Sequence, residues 1–170
     1  MNSNYTKTQK LTIGAICIAL YLVVMLCTQS FAFGQYQIRI ATALYGLSYL
    51  FPFLVLPFGM ANLASNILMG GLGPLDAICG LLIGLLTCGT IVQGKRLGFG
   101  CWIVAAAVTL LPGLGVPVWL SYLLDIPYVV LASSLLVGQF ISGMAGMLLV
   151  GALEKADITG FAFRTEKNRE

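Results

Sequence analysis

Histidine is absent from the 170-residue sequence, which removes both the commonest metal ligand and the commonest proton relay. Charge is scarce too, at 9% of residues. Within the apolar runs no pair of carboxylates falls at helical spacing and no nucleophile elbow is present, so the chain lacks the parts of an intramembrane enzyme. No GxxxxGK[ST] segment occurs, so the chain carries no nucleotide-driven energy source of its own. The five cysteines, Cys17, Cys27, Cys79, Cys88 and Cys101, are odd in number, form no CxxC pair and sit inside apolar runs. There they read as small hydrophobes rather than as disulfide partners or metal ligands. Neither a metal nor a cofactor is expected.

What remains is overwhelmingly apolar. Hydrophobic residues make up 59% of the chain and the mean hydropathy is +0.95, far more apolar surface than a soluble domain of this size can bury. The expected solvent for most of it is therefore lipid. There is room for about six spans of roughly 20 residues and almost nothing else, which excludes a soluble catalytic or nucleic-acid-binding domain. The expected fold is an all-α integral membrane protein, a compact bundle of six transmembrane helices, because the bilayer admits helices or closed barrels and these runs are too continuous for barrel strands.

In order, the first span is read over Leu11–Phe33, too long for a signal-peptide core and without a small-x-small cleavage site. The second runs from Ile40 to about Val55, with Pro52 and Pro57 marking its end. The third, Phe58 to about Met69, is short and is closed by Gly70-Gly71-Leu72-Gly73-Pro74. The fourth covers Leu75 to about Val92 and the fifth Phe99 to about Leu111. Pro112-Gly113-Leu114-Gly115-Val116-Pro117 is expected to unwind the outer end of the fifth, leaving Trp119–Asp125 as an amphipathic connection. The sixth runs from Ile126 to Leu153. This divides the chain into a tail over 1–10, a transmembrane domain over 11–153 and a second tail over 154–170.

Lys and Arg distribution tests this count. Lys7 and Lys10 precede the first span, Lys95 and Arg96 share one short loop, and Lys155, Arg164, Lys167 and Arg169 follow the last. Six crossings place all of these on the cytoplasmic side, with both termini inside, and leave Arg39 alone outside. Five would export the basic tail, against the positive-inside rule. The expected location is a cell membrane crossed several times.

The loops after the first, third and fifth spans then face outward and gather the unusual chemistry. Arg39 is the only Lys or Arg between Lys10 and Lys95. A cation there costs about 2.5–3.5 kcal/mol if left in lipid, so it is either a snorkelling interfacial anchor or part of a polar cavity. Gln37 and Arg39 lead into Thr42, Tyr45 and Tyr49, which share one helical face and carry a polar stripe into the membrane. Asp76 opens the fourth span and continues through Gly80, Gly84 and Cys88 at i+4 steps, a small-residue row that faces another helix. Its carboxylate either points into the bundle or caps the helix N-terminus, and the two roles are compatible. Asn62 and Asn66 make a similar row on the third span, where unpaired amides would be costly. Asn62 reads as an interhelical bond and Asn66 as a ligand contact. Ser134, Gly138, Ser142 and Gly146 read as close helix packing, with Gln139 beside them able to reach a pocket. Trp119, Tyr122 and Tyr128 are either a headgroup belt or stacking faces for a planar ligand.

Gln37-Ile38-Arg39-Ile40 with Ala43-Leu44, Phe51-Pro52, Ala61-Asn62-Leu63, Gly71-Leu72-Gly73 with Leu75-Asp76, and Gly138-Gln139 together resemble the QueT family over residues 11 to 153. These are the substrate-binding (S) subunits of energy-coupling factor (ECF) transporters for queuosine precursors. Thr42 stands where that pattern leads one to expect an acidic residue. The resemblance implies capture of a 7-deazaguanine such as preQ1, preQ0 or queuine from outside. Asp76 would accept from the ring N–H and exocyclic amine with help from Asn66 or Gln139, Gln37 and Arg39 would meet the carbonyl edge, and Trp119 or Tyr122 would cover the ring. It further implies partners, a membrane coupling (T) protein driven by two cytoplasmic ATPases in a bacterial plasma membrane. The small-xxx-small pair Ala15 and Ala19 would be the contact surface, a pattern that otherwise lets two helices of one bundle approach. An ECF subunit for another vitamin or nucleobase-like nutrient, and a small self-sufficient carrier, are the alternatives.

Overall fold

The computed structural model describes residues 5–32, 39–69 and 72–156; Gln37 lies outside them. The described residues form helices without strands, joined by short connections. Four helices are long and apolar enough to cross a membrane: α1 (Lys7–Cys27), α5 (Pro74–Arg96), α6 (Trp102–Leu124) and α7 (Tyr128–Lys155). The 23 residues of α5 span about 34 Å at 1.5 Å per residue, enough for a hydrocarbon core of about 30 Å. Two shorter apolar runs, Ile40–Leu50 and Pro52–Leu68, complete the bundle.

Helix α1 starts at Lys7 because Thr6 caps it in a reciprocal box, Gln9 N–H donating to the Thr6 hydroxyl and Thr6 N–H to the Gln9 side chain. It ends at Cys27, with Thr28 as its cap and the single turn α2 (Gln29–Ala32) after it. Between Ile40 and Leu68 the chain is more broken than apolar length suggests. A 3-10 segment η1 (Ile40–Gly46) passes into the single turn α3 (Leu47–Leu50), and η2 (Pro52–Leu54) leads into α4 (Val55–Leu68). The break falls at Phe51, whose φ of −125° and ψ of 86° are the extended geometry that a following proline imposes. Pro57 does not end a segment. It sits in the first turn of α4, where the missing N–H costs nothing.

Across α6 the structure corrects the expectation drawn from Pro112 to Pro117. The helix is continuous from Trp102 to Leu124 with both prolines inside it, so Trp119 lies on a membrane-length helix and not on an amphipathic connection. In lipid an unwound turn leaves several backbone groups without partners, a larger cost than the one N–H each proline removes. The glycines serve packing instead. A Cβ on Gly113 would lie 2.8 Å from Leu136 of α7, and one on Gly115 would lie 2.6 Å from Ile83 of α5. The helix ends at Asp125, a left-handed residue with φ of 52°.

Contacts at the ends give the topology. Tyr5 meets the rings of Phe51 and Phe53, and the Lys95 ammonium donates to the Tyr49 carbonyl at 2.7 Å while lying over the Tyr49 ring. The N-terminal end of α1 and the C-terminal ends of α3 and α5 are thus together, all close to basic residues. Arg39, Asn66, Asp76 and Trp119 are linked to one another toward the other end. The six helical runs therefore alternate in direction. At the centre Gly46 and Gly146 bring η1 and α7 together: a Cβ on Gly146 would lie 2.7 Å from the Ala43 carbonyl oxygen, and one on Gly46 would lie 3.0 Å from that of Gly146. This contact carries η1, too short to cross by itself, deep into the bundle, where Ala41, Thr42, Ala43, Tyr45 and Gly46 are buried.

Candidate functional site

Three residues per turn put Arg39, Thr42 and Tyr45 on one edge of η1. The Arg39 backbone is anchored on α7. Its carbonyl oxygen lies 2.6 Å from the Thr42 hydroxyl and 3.0 Å from the Ser142 hydroxyl, and the Thr42 hydroxyl also lies 3.0 Å from Gln139 Oε1. From this anchor the guanidinium reaches to α4, Nη1 donating to Asn62 Oδ1 at 3.1 Å and Nη2 to Asn66 Oδ1 at 2.8 Å.

The two asparagines are held from the far side by α5. Asn62 Nδ2 donates to the Gly80 carbonyl at 2.7 Å and Asn66 Nδ2 to the Asp76 carbonyl at 3.2 Å. Each pair of partners is one helical turn apart, so the ladder follows from two helices packed side by side with matched i+4 rows. A carbonyl can only accept. The amide nitrogens must therefore face α5, and both amide oxygens are turned to Arg39.

Asp76 stands in the first turn of α5 after Gly73, whose φ of 102° suits only glycine. Its carboxylate points into the bundle. Oδ1 accepts from the Trp119 indole N–H at 2.9 Å, and Oδ2 accepts from the N–H of Leu72, just ahead of the helix, at 3.4 Å. The chain of bonds runs from α7 through η1, α4 and α5 to α6. Thr42, Asn62, Asn66, Asp76 and Gln139 are all buried, and the cluster contains one basic and one acidic side chain.

Among the residues expected at a site, Arg39, Thr42, Asn66, Asp76, Trp119 and Gln139 are brought together. Asn66 makes the same interhelical bond as Asn62, so the two amides act as a pair. Tyr45 is elsewhere, stacked on Tyr21 with ring centroids 5.8 Å apart and the two hydroxyls 3.4 Å apart. Tyr122 is 80% exposed and is not drawn in. Ser142 was legible only as part of a small-residue row, yet its hydroxyl holds the Arg39 carbonyl. Among the described residues no three His, Cys, Asp or Glu side chains group closely enough to hold a metal.

Beside the cluster a hollow of about 410 Å³ opens between α4 and the start of α5. Leu63, Ile67, Pro74 and Ala77 make its walls apolar and Asn66 gives it a polar edge. That combination, within the size range of small-molecule sites, can hold a flat ligand by its faces and read it along one edge. Gly80 keeps the edge in place, since a Cβ there would lie 2.4 Å from Asn66 Nδ2. Gly80→Ala should push that amide off the Asp76 carbonyl and weaken binding by about tenfold, the worth of one hydrogen bond. Gly89→Ala, with nothing within 4 Å of the added carbon, should leave the affinity unchanged in the same titration.

No curated protein and no solved structure is a match for the chain. The family model described as QueT transporter matches residues 11–155, a span that contains α2 to α7 and all but the first turn of α1. A bundle with membrane-length apolar helices and a buried polar cluster suits a membrane transporter component, and with most of its length matched, the chain belongs to the QueT transporter family.

Proposed function

We propose that the protein is the substrate-binding subunit of an ECF-type importer and captures a queuosine precursor, a 7-deazaguanine such as preQ1, preQ0 or queuine, from outside the cell. The observation that carries this reading is the bonded network in which Arg39 holds both Asn62 and Asn66, Asn66 reaches the Asp76 carbonyl and Trp119 the Asp76 carboxylate, set toward one end of the bundle beside an apolar hollow. A 7-deazaguanine is planar and presents ring N–H and exocyclic amine donors next to a carbonyl. Asp76 and Asn66, with Gln139 behind, supply acceptors for the donor edge. Arg39, Thr42 and Gln37 serve the carbonyl side, and Trp119 covers the ring.

Orientation follows from charge. With the positive-inside rule applied to Lys7, Lys10, Lys95, Arg96 and Lys155, the end opposite the cluster is cytoplasmic, both tails (1–10 and 154–170) are inside, and the domain over 11–153 crosses six times, two of the crossings being short. The protein does no chemistry. A membrane coupling protein with two cytoplasmic ATPases reorients it, meeting the outer face of α1 at Ala15 and Ala19.

Mass spectrometry of the small molecules that co-purify with the protein tests the substrate. A 7-deazaguanine, displaced by added preQ1 and not by an unrelated vitamin, is the expected result. A different nutrient held with saturable affinity would replace the substrate assignment while keeping the site.

A further inference from the structure

Arg39 does more in this arrangement than tie η1 to α4. We infer that the Asn62–Asn66 pair is a reader for a planar guanidine edge, two N–H donors on neighbouring nitrogens of one carbon, and that Arg39 occupies it as an internal stand-in for the ligand. This inference rests on the site assignment above and adds which atoms read which edge.

The geometry carries it in three steps. First, both amides are fixed as acceptors, because their nitrogens are committed to the Gly80 and Asp76 carbonyls of α5, so the pair cannot flip to present donors. Second, the two groups bound are Nη1 and Nη2 of one guanidinium. These are coplanar nitrogens joined through a single carbon, the same array that a 2-aminopyrimidin-4-one ring presents with its ring N–H and exocyclic amine. Third, Asn62 and Asn66 are 2% and 3% exposed, so two amide oxygens there are costly to leave without donors. Arg39 meets that cost from within the chain. A ligand with the guanidine edge takes over both bonds and releases the guanidinium toward its carbonyl side. Ring systems without the exocyclic amine offer one donor where two are needed and leave an amide oxygen unpaired, which is how a hydrogen-bonding site rejects an analogue.

Two variants test this. Arg39→Ala vacates the pair, and guanidinium chloride at millimolar concentration should then raise the unfolding temperature saturably, or restore the yield of folded protein if the variant is unstable without it. Sodium chloride at equal strength should not, and Arg39→Ala with both Asn62→Ala and Asn66→Ala should not respond. Arg39→Lys keeps the charge and one donor but loses the planar fork. It should bind isocytosine, which carries the edge, about tenfold more tightly than the unaltered protein does, the worth of one charge-assisted bond, and should gain nothing for uracil, which has no exocyclic amine. Absence of guanidinium rescue in Arg39→Ala, an equal response in the triple variant, or isocytosine binding to Arg39→Lys no tighter than to the unaltered protein would each overturn the inference. Failure of the transport reading shows differently, as no 7-deazaguanine bound by the unaltered protein, whatever Arg39→Ala does with guanidinium.

Discussion

Asp76→Asn is expected to weaken substrate binding by about 100-fold by calorimetry, the worth of one charge-assisted ligand bond at about 1.5–3 kcal/mol. The reason lies in what the carboxylate already holds. Its two oxygens accept from the Trp119 indole and the Leu72 N–H, and each keeps a further lone pair. An amide has a single oxygen to offer, so one of these donors would face an NH2 group and the carboxylate's charge would be gone. The bundle should persist, because α5 is packed through Ala77, Gly80, Ile83, Gly84, Thr87 and Cys88 and at most the bond from the Leu72 N–H is lost, about 1 kcal/mol. An unchanged circular dichroism spectrum with lost affinity is the predicted combination. Unchanged affinity would remove Asp76 from the site.

The second large effect concerns α1. Of its apolar window 22% is buried, against 39–44% for α5, α6 and α7, so it is the least enclosed of the long helices. Gly14, Cys17, Tyr21 and Met25 face the bundle, and a Cβ on Gly14 would lie 3.0 Å from Pro57. Ala15, Ile16, Ala19, Leu20 and Val23 are exposed. Ala15→Trp or Ala19→Trp therefore disturbs no internal contact and should leave substrate binding intact, while uptake by cells carrying the coupling proteins should fall to background. Loss of binding together with uptake would assign the two alanines to internal packing. Undiminished uptake would place the coupling surface elsewhere.

Much of this molecule was legible in the sequence because lipid leaves few options. Apolar length alone located α5 and α7 to within a few residues and the starts of α1 and α6 nearly as well, and the i+4 row Asp76–Gly80–Gly84–Cys88 and Asn62 were read as turned to another helix, while Asn66, read as a ligand contact, makes an interhelical bond as well. The errors have physical causes. Pro112 and Pro117 with two glycines signal an unwound turn when water can solvate the freed backbone; in a bilayer the helix persists and the glycines admit Leu136 and Ile83. The break at Phe51, in place of one between Val55 and Phe58, was hidden because Pro52 and Pro57 are equally good local signals, and only position within the first turn of α4 separates them. The link from Arg39 to Asn62 and Asn66 crosses 23 and 27 residues. No periodicity within a segment could have reported it. Ser142 was hidden for a related reason, since a serine in a row of glycines reads as small before it reads as a donor.

The claim at the centre of this account is that polar groups from five elements meet at one site and that the substrate binds there. Trp119 reports on it directly. The chain has two tryptophans, and the other, Trp102, is 52% exposed at the start of α6. In a Trp102→Phe protein all indole emission comes from Trp119. Titration with preQ1 should change that emission saturably, and Asp76→Asn in the same background should shift the midpoint by about 100-fold. A substrate that binds by calorimetry with no change in Trp119 emission, and with the same midpoint in both proteins, would contradict the account.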